Sequence, residues 1–424
     1  MASTRLRLAS LVAAAVIVVG ACSSTPKASG AAASGNGNDC TAGSAAAGGT
    51  GALQVPAAVA GKFNVAMVLI GPHDDGGWSQ AHYEGLQYLC QNLPDTHVAY
   101  IELVPEGADS EQVFRSLSRK GFNFIIGTSF GYMDPMATVA KEFSDITYLH
   151  LTGYKSNGKN FGNFFGAVED FKYLAGMLAG SRAKKDGVPK VGYMATFPIP
   201  EEIRLGNAIA RGVAVTCPEC KIDVRFINTW HDPQKERDGA ASLFDAGADV
   251  VFTGADTPAV ADVAKEKGKW AVTYDHPSSC AGKDSCLTAP YWIWGPEYTR
   301  IGQQVKDKKY TAGYEYFDAN SKAIGLFGFM DGQTPNKGIA DLPPADVQMV
   351  KDDLAKMLAG TMGRFDVFAG PIKDNTGKEL LKAGEKLKQS DLDQFPPGAP
   401  GNECTVCMYW WNENITVPLP KLGG

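Results

Sequence analysis

The chain has 424 residues and a formal net charge of −6 at pH 7, and 44% of its residues are hydrophobic. This mildly acidic balance, without runs of lysine or arginine, excludes the electrostatic attraction on which nucleic-acid binding depends. The length exceeds what one small hydrophobic core organises, so it favours two lobes.

The first 21 residues have the composition of an export signal. Arg5 and Arg7 supply a positive start, and residues 8–21 form an apolar core too short to span a bilayer as a lasting helix. The small residues before Cys22 resemble a lipoprotein box, in which the peptide is cleaved before the cysteine and the thiol is acylated. We predict a signal peptide at 1–21 and a lipid anchor at Cys22 on the extracytoplasmic face of the cell membrane. An ordinary secretory signal is the alternative.

Residues 22–61 are rich in glycine, alanine and serine and contain few large apolar side chains. Such a segment buries too little apolar surface to offset the entropy of ordering it. We therefore predict that 22–61 is a flexible tether between the lipid and the folded body.

Eight of the nine cysteines follow Cys22, and four of them form the pairs Cys217/Cys220 and Cys404/Cys407 with two residues between. Export to an oxidising compartment favours structural disulfides. A zinc site and free thiols are the alternatives, and the spacing leaves the pairing open.

Apolar, β-branched runs alternate with amphipathic segments along the rest of the chain, and this pattern predicts parallel sheets covered by helices. The predicted strands form a first series at 63–70, 97–104, 122–129 and 146–153, and a second at 190–196, 221–229, 249–254 and 269–275. Helices of the second series are predicted near 201–214, 233–246 and 257–267. Two such series predict an α/β fold with two doubly wound lobes, whose ligands bind in the loops after the strands.

The loops after these strands are rich in aromatic rings and carboxylates and poor in lysine and arginine. This composition suits a planar, hydrogen-bonding, roughly neutral molecule better than a phosphorylated one. The sequence contains neither a phosphate-binding glycine motif nor a paired-histidine zinc motif, so we predict no cofactor and no metal.

The loop at 71–85 contains carboxylates, a Gly-Gly pair, an indole and an imidazole, which could serve catalysis, phosphate binding or the recognition of a flat organic molecule. Gly76 and Gly77 allow backbone geometry that other residues resist, and Ser79 is a candidate helix cap. Trp78 is then expected at the loop tip, where its ring could cover a ligand. Packing of Trp78 between the lobes is the alternative, and His82 is equally well explained as a buried core imidazole.

Ser129 lies in a G-x-S-x-G motif between a predicted strand and a helix, as the nucleophile of a serine hydrolase would. Asp275 with His276, or Asp223 with His231, could complete a triad. The residues after Gly131 interrupt the direct entry into a helix that fixes such a nucleophile. A surface hydrolase using Ser129 is therefore the alternative of a different class, and the leading prediction is a protein that is not an enzyme.

Six segments resemble, in order, the basic membrane protein family, the PnrA-like substrate-binding lipoproteins of ABC transporters; they are 71–85, 169–180, 190–212, 228–268, 287–298 and 368–384. The last three are similar to the branch that binds purine bases. The resemblance implies a type I periplasmic-binding-protein fold, in which two Rossmann-like lobes joined by three crossovers close on a ligand. The implied crossings lie near Gly166, 289–296 and 326–330. The implied lobes are 62–166 plus 295–326 and 167–294 plus 327–424.

The resemblance also implies a function. Family members bind a purine base or nucleoside and deliver it to an ABC permease and its ATPase. A sugar or another small heterocycle as ligand, and a sensor role in place of transport, are the alternatives. Gly77-Trp78-Ser79 replaces the Ser-Phe-Asn type segment of the nucleoside binders, which weakens the expectation that ribose is bound.

The ligand-binding residues implied by the resemblance are rings that stack on the base and polar groups that bind its edge. The rings are Trp78, Phe130, Phe197 and Trp294, and the remaining candidates are Asp75, Gly77, Glu202, Arg204, Asn207, Asp256 and Asp275. Pairing of Arg204 with Glu202, and packing of Trp294 at a hinge together with Trp292, are the alternatives. The cysteines near the carboxyl end depart from the family pattern and indicate a local disulfide.

Overall fold

The computed structural model of the chain describes Asn38, Cys40, residues 54–398 and residues 401–420. The predicted signal peptide and Cys22 lie outside these described residues. Within the described ranges, no helix combines the length and the apolar character that a membrane crossing requires.

Strands and helices alternate through most of the chain. The strands are β1 (Phe63–Val68), β2 (Thr96–Ile101), β3 (Phe124–Gly127), β4 (Thr147–Leu151), β5 (Phe161–Gly166), β6 (Lys190–Ala195), β7 (Lys221–Phe226), β8 (Val250–Thr253), β9 (Trp270–Val272), β10 (Cys286–Thr288), β11 (Pro290–Trp292), β12 (Tyr314–Phe317), β13 (Ile324–Leu326), β14 (Ile372–Lys373) and β15 (Glu379–Leu381). The helices are α1 (Trp78–Asn92), α2 (Ala108–Arg119), α3 (Met133–Glu142), α4 (Val168–Lys185), α5 (Pro200–Thr216), α6 (Pro233–Asp245), α7 (Ala259–Lys267), α8 (Trp294–Lys306), α9 (Lys337–Ala340), α10 (Pro344–Leu358), α11 (Arg364–Val367) and α12 (Gln389–Asp393).

The first lobe is built on a six-stranded sheet in the order β12-β5-β4-β3-β1-β2, and every neighbouring pair in it is parallel. All residues of β1, β2 and β3 are buried, which shows that helices or loops cover both faces of the sheet. Continuous apolar strands of this kind are typical of parallel sheets.

The second lobe is built on a five-stranded parallel sheet in the order β10-β9-β8-β6-β7. Two parallel sheets with alternating helices confirm the predicted α/β class, and all eight predicted strands are present. The sequence pattern missed β5 and β12 of the first sheet and β10 of the second. In β5 (Phe-Gly-Asn-Phe-Phe-Gly) glycine and asparagine interrupt the apolar run. A Cβ at Gly162 would lie 2.0 Å from the Tyr310 hydroxyl oxygen, so a larger residue there would require the Tyr310 side chain to move.

The chain passes between the sheets at three places. It leaves the first sheet after β5 and enters the second lobe through α4, then returns between β11 and α8, which packs against α1. After β12 it leaves the first sheet again, and β13 pairs with β11 in a separate antiparallel pair. The predicted lobe limits stay a prediction. The range 295–326 was assigned to the first lobe, and β13 lies within this range but outside the first sheet.

Four disulfides join all eight cysteines after Cys22, as the sequence favoured; they are Cys40–Cys90, Cys217–Cys220, Cys280–Cys286 and Cys404–Cys407. Cys40 is thereby tied to α1. The buried Asn38 side chain donates to the Leu93 carbonyl and accepts from the Thr96 amide. The predicted flexible tether 22–61 is therefore fixed to the first lobe at Asn38 and Cys40. At its end, Val55 and Ala58 pack on the core of that lobe, and Val59 hydrogen-bonds with Asn64.

Helices α4 and α5 pack with their backbones in contact. A Cβ at Gly212 of α5 would lie 2.0 Å from the Tyr173 carbonyl oxygen of α4, and a Cβ at Gly176 of α4 would lie 2.5 Å from the Ile209 carbonyl oxygen. Glycine is required at these positions because any side chain would force the two helices apart.

We expect Gly212→Ala to lower the free energy of unfolding by about 2 kcal/mol or more, since overpacking at a backbone contact outweighs the helix propensity that alanine adds. Chemical denaturation followed by circular dichroism measures the change. Val215→Ala, at a 43%-exposed position of the same helix, is the matched control and should shift the stability by less than about 1 kcal/mol. Equal effects of the two substitutions would contradict the packing argument.

Candidate functional site

A pocket lies between the two lobes, at the loops that follow the strands, and about 360 Å³ around it is free of protein atoms when the space open to solvent is counted. Its first-lobe lining consists of Ile70, Trp78, Ser129, Phe130 and Thr152. Its second-lobe lining consists of Glu201, Glu202, Trp230, Gly254, Asp256, Tyr274 and Asp275. Five of the predicted ligand-binding residues, Trp78, Phe130, Glu202, Asp256 and Asp275, thus share one cavity.

Trp78 is a fixed wall of this pocket. It is the first residue of α1, only 7% of it is exposed, and its indole Nε1 donates to the Thr128 carbonyl at 2.6 Å. The Trp292 and Trp294 rings meet the Trp78 ring edge-on, with centroids 6.1 and 5.9 Å away. The ring therefore combines the two roles considered from the sequence, since it packs in the core and also faces the pocket.

Asp75 organises the loop instead of lining the pocket. Its carboxylate accepts hydrogen bonds from the backbone amides of Gly77 at 2.8 Å, Ser79 at 2.9 Å and Gln80 at 3.0 Å. It thus satisfies amides at the start of α1 that lack helical partners. The Ser79 hydroxyl, expected to cap the helix, accepts from the Gly71 amide. Burial raises the pKa of Asp75, and the backbone hydrogen bonds oppose that rise.

Gly77 lets the two lobes touch. A Cβ at this position would lie 1.9 Å from the Asp256 carbonyl oxygen of the second lobe. The neighbouring Gly76 has a φ of +82°, and a Cβ there would lie 3.2 Å from Pro258. The Gly-Gly pair is thus explained by a close approach of two backbones across the cleft as well as by its turn geometry.

Two side-chain contacts also join the lobes. The Trp230 indole Nε1 donates to Glu106 Oε1 at 3.1 Å, and His276 Nε2 lies 3.0 Å from Glu84 Oε2. Glu106 and Glu84 belong to the first lobe, whereas Trp230 and His276 belong to the second. The structure therefore holds the lobes in a closed arrangement.

Ser129 is paired with a carboxylate. Its hydroxyl donates to Glu106 Oε1 at 2.6 Å, and the Gly131 amide donates to the same oxygen at 2.8 Å. Within the part of the chain that is described, neither His231 nor His276 hydrogen-bonds to the Ser129 hydroxyl. The serine–base pair that a hydrolase requires is not assembled here.

The second lobe contributes two adjacent glutamates from the first turn of α5. Glu202 accepts from the Tyr193 hydroxyl at 2.8 Å and from the Thr196 amide at 2.9 Å, and burial raises its pKa to about 7. Burial raises the pKa of Glu201 to about 8, and its Oε2 has no hydrogen-bond partner among the described residues. Both groups can therefore change protonation state near neutral pH.

Two aspartates complete the acidic side of the pocket. Asp275 accepts from the Trp292 indole at 3.0 Å, and Asp256 has an Oδ2 atom without a hydrogen-bond partner in the described ranges. Burial raises the pKa of both carboxyls well above the ordinary value.

Lys172 on α4 is the buried cation beside these carboxyls, and it is not among the residues that the sequence predicts for the site. Its Nζ donates to the Thr253 carbonyl at 2.9 Å and lies 3.4 Å from the centroid of the Tyr274 ring. Burial lowers its pKa to about 8, and Asp275 and Glu202 oppose that fall. Its signal in the sequence was a lysine within the otherwise apolar segment 171–180, which belongs to a helix that is buried on nearly all sides.

The remaining predicted residues lie outside the pocket lining. Arg204, a predicted ligand contact, pairs with Asp393 at 2.7 Å and Glu169 at 3.4 Å, and the alternative pairing with Glu202 is wrong. The Asn207 amide donates to the Trp410 carbonyl, and its oxygen accepts from the Asn412 amide.

The two other aromatic candidates are engaged by neighbouring rings. Phe197 packs on Trp230 at 5.0 Å between centroids. Trp294 stacks between His82 and Trp292, with centroids 4.7 and 4.4 Å away. These contacts support the packing alternative for Trp294, and His82 is the buried core imidazole considered from the sequence.

One arrangement at the edge of the pocket could hold a cation. Asp75, His231 and Asp256 each place one potential ligand atom within 4.8 Å of the other two. The three residues are far apart in the sequence, so no spacing motif could reveal them.

Comparison with known proteins assigns the family and the fold. The family model of the PnrA-like ABC transporter substrate-binding proteins (Bmp) matches residues 62–341. A solute-binding protein of an ABC transporter from Aeropyrum pernix has a similar structure, with a TM-score of 0.61 and 16% identity over 70% of this chain and 92% of that chain. This likeness supports the predicted type I periplasmic-binding-protein fold.

Two curated relatives are each 32% identical to the chain. One is a purine-binding protein of Brucella abortus, with 78% of this chain and 90% of the relative aligned. The other is a putative ABC transporter glucose-binding protein of Haloferax volcanii, with 75% of this chain and 77% of the relative aligned. The chain belongs to the PnrA-like (BMP) family of ABC transporter substrate-binding proteins, which bind small molecules outside the cytoplasm.

Proposed function

We propose that the chain captures a purine base, or a nucleoside, between its two lobes and delivers it to an ABC permease and its ATPase. In this proposal a lipid on Cys22 holds the receptor at the outer face of the membrane. The observation that carries the ligand assignment is the convergence of aromatic rings and buried carboxyls on one pocket.

The aromatic lining suits a flat ring. Trp78, Phe130, Trp230 and Tyr274 line the cavity, and aromatic rings bind planar heterocycles by stacking. Since the indole of Trp78 is fixed by its bond to Thr128, little conformational freedom is lost when a ligand packs against it.

The acidic lining suits the edge of a base. A protonated carboxyl donates one hydrogen bond, whereas a carboxylate only accepts. Glu202 and Glu201, with pKa values raised to about 7 and about 8, can adopt either form near neutral pH. They can therefore match both the ring nitrogens and the N–H groups of a purine.

The first loop favours a base without ribose. Gly77-Trp78-Ser79 replaces the Ser-Phe-Asn type segment of the nucleoside binders. The sugar alternative is kept because one relative is described as a putative glucose-binding protein.

Isothermal titration with adenine, hypoxanthine, guanine, adenosine, guanosine and glucose tests the proposal. We expect at least one purine base to bind more tightly than its nucleoside and than glucose. Binding of glucose alone would favour the sugar alternative, and binding of none of the six would refute the ligand assignment and leave the family unaffected.

Asp275→Asn sharpens this test. Asparagine keeps an oxygen for the Trp292 indole but removes the carboxyl, so we expect purine affinity to fall at least about tenfold. Asp238→Asn, at an exposed position of α6, is the control and should leave the affinity unchanged. Equal affinities in the two variants would contradict a role for Asp275 in binding.

Gly77→Ala tests whether closure needs the contact between the backbones. The added methyl group would meet the Asp256 carbonyl, so the closed state should be destabilised and ligand affinity should fall at least about tenfold. Titration calorimetry and the radius of gyration from small-angle X-ray scattering measure the two effects. In the control Gly313→Ala, a Cβ has no neighbour within 4 Å, so both quantities should match those of the parent protein.

The pKa of Glu201 predicts a pH-dependent stability. Because this pKa is about 8 in the folded protein and 4.5 ordinarily, the folded state binds the proton more tightly than the unfolded state. The contribution of Glu201 protonation to the free energy of unfolding is complete below pH 4.5 and is lost as the pH rises towards 8. Arg204 opposes the shift, and Glu202, Glu169 and Asp393 strengthen it.

Glu201→Gln removes this titration. We define the stability difference as the free energy of unfolding of the variant minus that of the parent, measured with denaturant and without ligand. As the pH rises from about 5 to about 8.5, this difference should increase by about 1 kcal/mol or more. For Glu219→Gln, at an exposed position, the stability difference should stay constant over the same range. A constant difference for the Glu201 variant would contradict the raised pKa.

A further inference from the structure

We infer that Asp75, His231 and Asp256 form a binding site for a divalent transition-metal cation, of which zinc is the best match, that bridges the two lobes. Asp75 comes from the first lobe, in the loop after β1. His231 and Asp256 come from the second lobe, in the loops after β7 and β8. One ligand atom of each lies within 4.8 Å of the others, which is close enough for all three to reach a single ion.

The donor set selects the class of cation. One imidazole nitrogen and two carboxylate oxygens form a three-residue site that leaves coordination positions for water or another ligand, as in open zinc sites. Imidazole suits zinc and its neighbours in the first transition series, whereas calcium and magnesium prefer oxygen ligands alone.

Two of the polar atoms at this position have no hydrogen-bond partner among the described residues. Asp256 is only 4% exposed, and among the described residues its Oδ2 and the His231 Nδ1 are both buried without a hydrogen-bond partner. Leaving such groups unpaired is costly, and a cation between them removes the cost.

Asp75 is held in place for this role. The backbone amides of Gly77, Ser79 and Gln80 fix its carboxylate, as outer hydrogen bonds commonly orient metal-ligating carboxylates. Both side chains lie next to Gly71. A Cβ added to this glycine would be 3.2 Å from Asp75 Oδ2 and 3.5 Å from His231 Cγ. The aspartate and the imidazole thus face the same small space.

The position of the site gives the cation an effect on closure. The Asp256 carbonyl is the atom against which Gly77 packs, so the three ligands come together only when the lobes touch. A cation bound by both lobes therefore stabilises the closed state. The cation is a second ligand, and its binding does not depend on the identity of the organic one.

Titration of the full protein, stripped with a chelator and free of organic ligand, tests the site with zinc, manganese and calcium chlorides. We expect one zinc per chain, a higher melting temperature and a smaller radius of gyration with zinc, and much weaker binding of calcium. Calcium binding as tight as zinc binding would overturn the role of the imidazole.

His231→Gln and Asp256→Asn should each weaken zinc binding by at least the roughly 10–100-fold that loss of even an outer-shell partner causes. His73→Gln is the matched control, because His73 pairs with Glu102 in the first lobe and should leave zinc binding unchanged. Melting curves of the stripped proteins verify that each variant is folded. Zinc binding that survives both site variants, or that His73→Gln removes, would overturn the site, whatever the purine titrations give.

Discussion

The backbone contact between α4 and α5 is the interaction on which the second lobe's share of the pocket depends. α4 starts at the first crossing between the lobes and carries Lys172, and the first turn of α5 carries Glu201 and Glu202. Glycines at the contact allow a separation that any side chain would increase. The buried Lys172 ammonium is thereby held within electrostatic reach of both glutamates. The glycines at the contact between α4 and α5 therefore determine how close these charged groups lie.

The carboxyls around the cleft divide into two kinds according to their partners. Asp75 and Glu106 accept several hydrogen bonds each, from amides or from hydroxyl and indole groups, and shape the loops that carry them. Glu201 and Asp256 are buried and each has an oxygen without a partner in the described ranges. Burial of an ionised group without a partner is unfavourable, which is why their pKa values rise. The first kind builds the cleft, with Asp75 also offering a ligand atom to the inferred cation site, and the second kind has hydrogen-bonding capacity left for a ligand.

Local sequence patterns predicted the parts of this molecule that local physics decides. Apolar runs predicted eight strands. They did not predict β5, because Gly162 interrupts its apolar run, and this glycine lies against Tyr310, almost 150 positions later in the chain. The same limit applies to the site. The amide of Asn207 and the guanidinium of Arg204 are suited to bind a ligand, yet they bind segments near the carboxyl end, 203 and 189 residues away. Periodicity and motif spacing report which face of an element is buried, but the partner of a polar side chain is fixed only when the tertiary fold is complete.

The loop from Gly71 to Ser79 shows how one short segment serves both construction and recognition. Asp75 fixes the start of α1, Trp78 forms a wall, and Gly77 permits contact with the backbone of the opposite lobe. Closure thus brings together the organic pocket and the three residues of the inferred cation site in one movement. If both ligands bind the same closed state, each must increase the affinity for the other, because coupling between two binding equilibria is reciprocal. The contact between Gly77 and Asp256 would then be the point through which the two occupancies are linked.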